Sequence, residues 1–246
     1  VKTGRVARVV AAAGACVLAA VSLRTMYAEA AYETGLDASV DPRGGPALDV
    51  PGRLEAYEEA IRRDPDEALY ALRAGQIHLA RAARREGGVD RTELAAARTL
   101  LRRAGELRPI DGRPRAQLAY AAMMAGDSED ALFQAQDARA LAPRAPAAMR
   151  AAVDVGLAVW RDTGDTSALR TALAGGAALA GIGEATPDRA FIDAFARAGP
   201  HLAQDLVDAT KEDPALAAYA ADAARTVRPE VARLLESSDG RTRKGP

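Results

Sequence analysis

The 246-residue sequence predicts an all-α chain built from paired helices. Three observations lead there. Apolar residues make up 49% of the chain but aromatics only 4%, and alanine is the commonest apolar type. Alanine is the best helix former and buries little area per residue, which suits closely packed helices rather than an aromatic-lined pocket. Period-two runs of Val, Ile and Thr are absent, so no sheet is expected. Finally, from Ile110 to Pro143 two helical patterns flank a Gly126-Asp127 turn, and a proline closes the unit. The preceding closing proline, Pro109, lies 34 residues before Pro143, a spacing that marks a helix–turn–helix repeat.

The amino end is a basic flank (Lys2, Arg5, Arg8) followed by an uncharged apolar run of 15 residues from Val9 to Leu23, which stops at Arg24. A spanning helix takes roughly 20 apolar residues, and Arg8 and Arg24 can snorkel to lengthen this one. Four readings stay open. The segment is an uncleaved signal-anchor continuing through Met26, Tyr27, Ala28 and Ala31, or a signal peptide cut at Ala28-Glu29-Ala30. It is otherwise a lipoprotein signal at Ala13-Gly14-Ala15-Cys16, or a buried alanine-rich helix. The anchor is the favoured reading. The positive-inside rule then keeps the basic flank cytoplasmic and sends the bulk of the chain to the periplasm or exterior, with secretion after cleavage as the alternative. On this reading residues 1–36 are flank and anchor. Residues 37–50, with G-L-D-A-S-V-D-P-R-G-G-P across the join, are a linker.

Residues 51–183 are expected to hold three to four helix pairs. The segment L-E-A-Y-E-E-A-I-R-R-D-P ends at Pro65 and reads as a second helix whose partner is supplied from the anchor side, around Ala28 to Glu33. The next first helix spans Asp66–Ala83, and its second carries Ala97, Leu101 and Ala104 before Pro109. Pro65 and Pro109 are 44 residues apart, so about ten residues are extra. The insertion falls around Gly87-Gly88, with Asp90 or Thr92 capping the helix after it. The central pair has its first helix at Arg113–Ala125. A fourth, looser pair runs from Ala147 to Asp162 and from Ser167 to Ala180, with a Gly164-Asp165 turn between and Gly181-Ile182-Gly183 in place of the proline. Its longer first helix is read as Pro146–Trp160 where it faces a partner.

Residues 184–236 lose the period. They read as an irregular helical cap: Asp188–Ala198, Pro200–Glu212, Pro214–Thr226 and a short Pro229–Glu236. Proline at or near each start is tolerated in a helix first turn, and Asp213 is the expected cap before Pro214. The polar tail 237–246 is expected to be disordered.

The central unit resembles the tetratricopeptide repeat family, in a membrane-anchored bacterial form. Leu118 and Ala119 stand at the family's first-helix Leu-Gly pair. Ala131, Ala135 and Ala138 stand at its small-residue crossings, Gly126 at the turn and Pro143 at the close. In the unit before, Ala74 and Gly75 take the Leu-Gly pair, and Ala97, Ala104 and Pro109 the crossings and close. The sequence departs from the family at Arg115, where Trp is usual, and at Ala122, where Tyr is usual. The resemblance implies a right-handed solenoid in which each pair buries against its neighbours an apolar face it cannot bury alone. It also implies a groove lined by first helices that takes a partner protein or an extended peptide.

Catalytic signals are missing. His78 and His201 sit in different elements, Cys16 lies in the apolar run, and no metal-ligand spacing or phosphate-cradling loop occurs. Neither a metal nor a cofactor is expected. Net charge is −1 with signs interspersed, which gives no argument for nucleic acid. Glu58-Glu59 and Glu129-Asp130 are adjacent on helices and so point apart. Arg62-Arg63, Arg84-Arg85 and Arg102-Arg103 recur near helix ends, where they either meet the helix dipole or form a basic stripe. Ala174-Gly175-Gly176-Ala177 falls inside a helical pattern and reads as a close crossing or a break. Trp160, the single tryptophan, reads as packed under the last pair or as an exposed binding residue.

These readings predict a non-enzymatic, membrane-anchored scaffold or adaptor for protein–protein contacts in the cell envelope, with envelope polysaccharide assembly or export as its narrower setting. The expected partner-binding residues are the polar ones of the first helices: Arg73, Gln76, Gln117, Tyr120, Arg150 and Asp154. The alternatives are a self-associating structural module and a non-catalytic subunit of a glycan-processing complex.

Overall fold

The computed structural model describes residues 52–84, 88–183 and 188–242. The expected anchor and linker lie outside them, as does the helix expected to complete the first pair. Every regular element among the described residues is an α-helix. No helix among them is long and apolar enough to cross a membrane. The chain divides into two compact units, Val1–Arg108 and Pro109–Pro246.

The first unit contains α1 (Arg53–Arg63), α2 (Ala68–Arg84) and α3 (Arg91–Leu107). Helix α1 forms because Leu54, Tyr57 and Ala60 recur on one face, and that face is buried. Leu54 and Tyr57 share a cluster with Ala74 and Ile77 of α2. The α2–α3 crossing is close: a Cβ on Gly75 would lie 2.9 Å from Leu101 Cγ. Ala74, Ala97, Leu101 and Ala104 are all fully buried, as the small-residue pattern requires.

The inserted stretch falls between α2 and α3, as expected, and Asp90 caps α3. Its carboxylate accepts from the backbone N–H of Thr92 at 2.9 Å and of Glu93 at 3.3 Å. Thr92 is inside the helix, which decides between the two candidates. Replacing Asp90 with alanine should lower stability by about 1 kcal/mol, read as a shift in the urea midpoint at unchanged slope.

The second unit contains α4 (Gly112–Met124), α5 (Ser128–Leu141), α6 (Pro146–Thr163), α7 (Thr166–Gly181), α8 (Asp188–Arg197), α9 (Leu202–Thr210), α10 (Pro214–Arg225) and α11 (Pro229–Thr242). The pairs α4–α5 and α6–α7 turn on Gly126 (φ 79°) and Gly164 (φ 73°). That left-handed backbone is easy for glycine alone. Asp127 and Asp165 then cap the second helix of each pair. Ala119, Ala131, Ala135 and Ala138 are fully buried, and Leu118 nearly so.

The expected cap packs on the helix pairs in one cluster, which runs from Ala119 and Trp160 through Leu173 to Phe191, Phe195 and Leu235, while two expected helix bounds change. Aromatic side chains do the joining, because Phe191 and Phe195 supply bulk that the alanine-rich helices lack. The last helix does not stop at Glu236 but continues to Thr242. Polar residues extend a helix already anchored by buried Val231, Ala232 and Leu235, and Ser237 Oγ donates back to the Leu234 carbonyl at 2.8 Å. The helix after Pro200 starts two residues later, at Leu202.

The Ala174–Ala177 stretch stays helical within α7. A Cβ on Gly175 would lie 2.7 Å from the Met149 carbonyl oxygen of α6, so the glycine marks a close crossing rather than a break. Asp213 caps α10, accepting from Ala215 N–H at 3.0 Å and Leu216 N–H at 3.2 Å.

Candidate interaction surface

The expected partner-binding residues fall into two groups. In the first unit, Arg73 and Gln76 sit three residues apart on α2, both half-buried, and Arg73 Nη1 donates to Gln76 Oε1 at 3.1 Å. That bond uses one of the five guanidinium N–H groups. In the second unit, α4 and α6 pack side by side. They bring Tyr120 to Asp154, the phenol donating to Oδ2 at 2.7 Å. Burial pushes the Tyr120 hydroxyl well above its ordinary value, Asp154 adds to the rise, and the charge of Arg150 opposes it. The phenol is thus a hydrogen-bond donor to Asp154 at neutral pH. Gln117 lies one turn before Tyr120 on α4.

Asp154 also opens a hollow that no sequence motif announces. A depression of about 250 Å3 lies between α6 and α8, with Leu157, Ala158, Ala190 and Ala194 as its apolar lining. Arg161, Asp193 and Arg197 supply the charges. A second depression of about 210 Å3 shares Arg161, Ala194 and Arg197 and reaches Trp160 and His201. Arg150, Asp154, Leu157, Ala158 and Arg161 recur at three- and four-residue intervals, so they share one face of α6. That spacing was legible in the sequence. The α8 wall was not, because nothing local ties residue 194 to residue 158.

Trp160 is 5% exposed. Its ring meets Phe195 edge-on at 6.2 Å between centroids, and its Nε1–H donates to Asp205 at 3.0 Å. The packed reading holds and the exposed one does not, although Trp160 lines the second depression.

The other candidate groups have local roles. His78 is nearly buried, with Nδ1 2.5 Å from Glu93 and Nε2 3.9 Å from Glu58. It links α1, α2 and α3. Glu59 turns the other way, to Arg62 and Arg63, whose guanidinium groups hold its carboxyl below the usual range. The adjacent carboxylates diverge, as helical geometry demands. Arg103 donates to the Pro65 carbonyl at 2.7 Å, so Arg62, Arg63 and Arg103 serve a helix end and a neighbouring acid. The side chains of Arg84 and Arg85 lie outside the described residues. Arg115, at the position of the family's Trp, pairs with Asp137 at 3.1 Å. Among the described residues no group of three His, Cys, Asp or Glu could hold a metal ion.

No family model and no curated protein matches this chain. The fold is similar to that of a solved structure described as the crystal structure of MamA protein, with a TM-score of 0.42 and 14% sequence identity. The match covers 89% of this chain and 90% of that one. A likeness of that size carries no inference about activity or partner.

Proposed function

We propose that this chain is a non-enzymatic scaffold of tetratricopeptide type that holds a protein partner along the α4–α6–α8 face of its second unit. One observation carries the reading. The helix that presents Asp154 to Tyr120 also lines the first depression with Leu157, Ala158 and Arg161 and the adjoining one with Trp160 and Arg161. Such a face joins a small-residue apolar floor to charges of both signs. The floor accepts apolar side chains of a bound segment, and the charges fix its register rather than supply most of its affinity. The same features suit a peptide better than a small molecule, which needs deeper enclosure.

The amino-terminal apolar run supports a placement at the cytoplasmic membrane with both units outside it, in the cell envelope. A role in assembling or exporting envelope polysaccharide is the narrower form of this proposal. A photo-crosslinking residue in place of Ala158, in the full chain expressed in its own host, tests the binding face. The expected result is one defined heterologous adduct that disappears when Arg161 and Arg197 are both changed to glutamate. An adduct between two copies of the chain would establish the self-associating module instead. Absence of any adduct, with the fold intact by circular dichroism, would reject this face as the binding surface.

A further inference from the structure

The second unit carries another recess, away from the α4–α6–α8 face. It is bounded by α5, the end of α6 and the start of α7, and measures about 500 Å3. Its apolar part is Leu132, Val159 and Phe133. Phe133 is 59% exposed, whereas Phe191 and Phe195, the chain's other two phenylalanines, are fully buried. A large apolar side chain left in water costs about 25 cal/mol per Å2 relative to burial. The intramolecular core makes no use of this ring.

The position of Phe133 on α5 explains its exposure. Ala131, Ala135 and Ala138 form the buried stripe, and Phe133 is two residues from Ala131, which places it about 200° around the helix from that neighbour. It cannot turn inward without displacing the alanine crossing. The ring therefore stands over the recess.

The charges lining the recess have one sign. Glu129 and Asp165 line it, and among the described residues no lysine or arginine does. Asp165 is fixed by its cap, accepting from Ser167 N–H at 2.8 Å. Gln136 is fixed by its bond to Thr171 at 3.0 Å. Asp165 and Gln136 are thus held in place around an apolar centre, with Glu129 exposed beside them.

We infer that this recess is a second docking surface, and that its occupant is a basic peptide segment bearing an aliphatic or aromatic side chain. The apolar side chain stacks on Phe133 above Leu132 and Val159. The flanking cations meet Glu129 and Asp165. An acidic segment is repelled by the same two carboxylates, so charge selects the partner class. This assignment is independent of the α4–α6–α8 face, and either can fail without the other.

The test uses the full chain and a fluorescein-labelled peptide of alternating arginine and leucine, with an alternating glutamate and leucine peptide as counterpart. Fluorescence anisotropy should show saturable binding of the basic peptide that weakens as salt rises. Phe133→Ser and, separately, Glu129→Lys should each weaken it about five-fold or more, the change expected for a residue at the centre of a contact. Both positions are exposed, so circular dichroism should show the fold retained. Equal binding of the acidic peptide overturns the proposal, as does binding unchanged in both variants. Concentration-dependent dimerisation that Phe133→Ser abolishes, without peptide binding, overturns it in favour of a second copy as occupant.

Discussion

Gly156→Leu should destabilise the second unit by about 3 kcal/mol or more, the upper end of overpacking costs. Even a single Cβ on Gly156 would lie 2.6 Å from the Ala168 carbonyl oxygen and 2.9 Å from the Ala172 backbone nitrogen. Both are backbone atoms of α7, so no rotamer change relieves the contact. The two helices must separate, and separation opens the crossings at Gly175 and Ala172 as well. Gly181→Ala is the comparison: a Cβ there meets nothing within 4 Å, and its effect should stay within about 0.5 kcal/mol. Thermal and urea unfolding of the two variants against the parent chain check this. Equal midpoints for Gly156→Leu and the parent would mean that α6 and α7 do not approach as closely as described.

The second large effect belongs to Trp160. Its replacement by alanine should cost about 3–5 kcal/mol, the range for emptying a buried aromatic site. Two losses combine. The space under the ring beside Phe195 is vacated, and Asp205 loses the donor at 3.0 Å. Trp160→Phe separates the two: it keeps most of the volume and removes the N–H, at a cost of about 1 kcal/mol. Because Trp160 comes from α6, Phe195 from α8 and Asp205 lies in α9, the alanine variant should also loosen the carboxyl-terminal helices. Faster amide exchange in α8 and α9 than in α4 and α5 would show it. Uniform loss of protection across the unit would mean that the cap and the helix pairs unfold as one body. Either way the depression lined by Trp160 and His201 is disrupted, so stability must be measured before binding is interpreted.

These two residues also mark the boundary between the legible and the illegible parts of the chain. The pairing of helices could be read because its determinants are local. Gly126 and Gly164 permit the left-handed turn, Asp127 and Asp165 cap the second helices, and alanines three, four and seven residues apart define the buried stripe. The Gly175 crossing was legible for the same reason, since a glycine pair inside a helical pattern asks for a close neighbour. Among the expected site residues, Tyr120 and Asp154 meet across two helices, whereas Arg73 and Gln76 meet within one, through a single hydrogen bond.

The sequence by itself determined the helical class, the turns, the caps and the small-residue crossings, each a matter of a few neighbouring residues. Only the tertiary structure decided that the carboxyl-terminal helices share a core with the pair before them. It also decided that Arg197 stands across a depression from Asp154, and that Phe133 stays in water over an acidic recess. Those outcomes depend on which faces meet across tens of residues. An aperiodic run of helices has no spacing rule that fixes such meetings in advance.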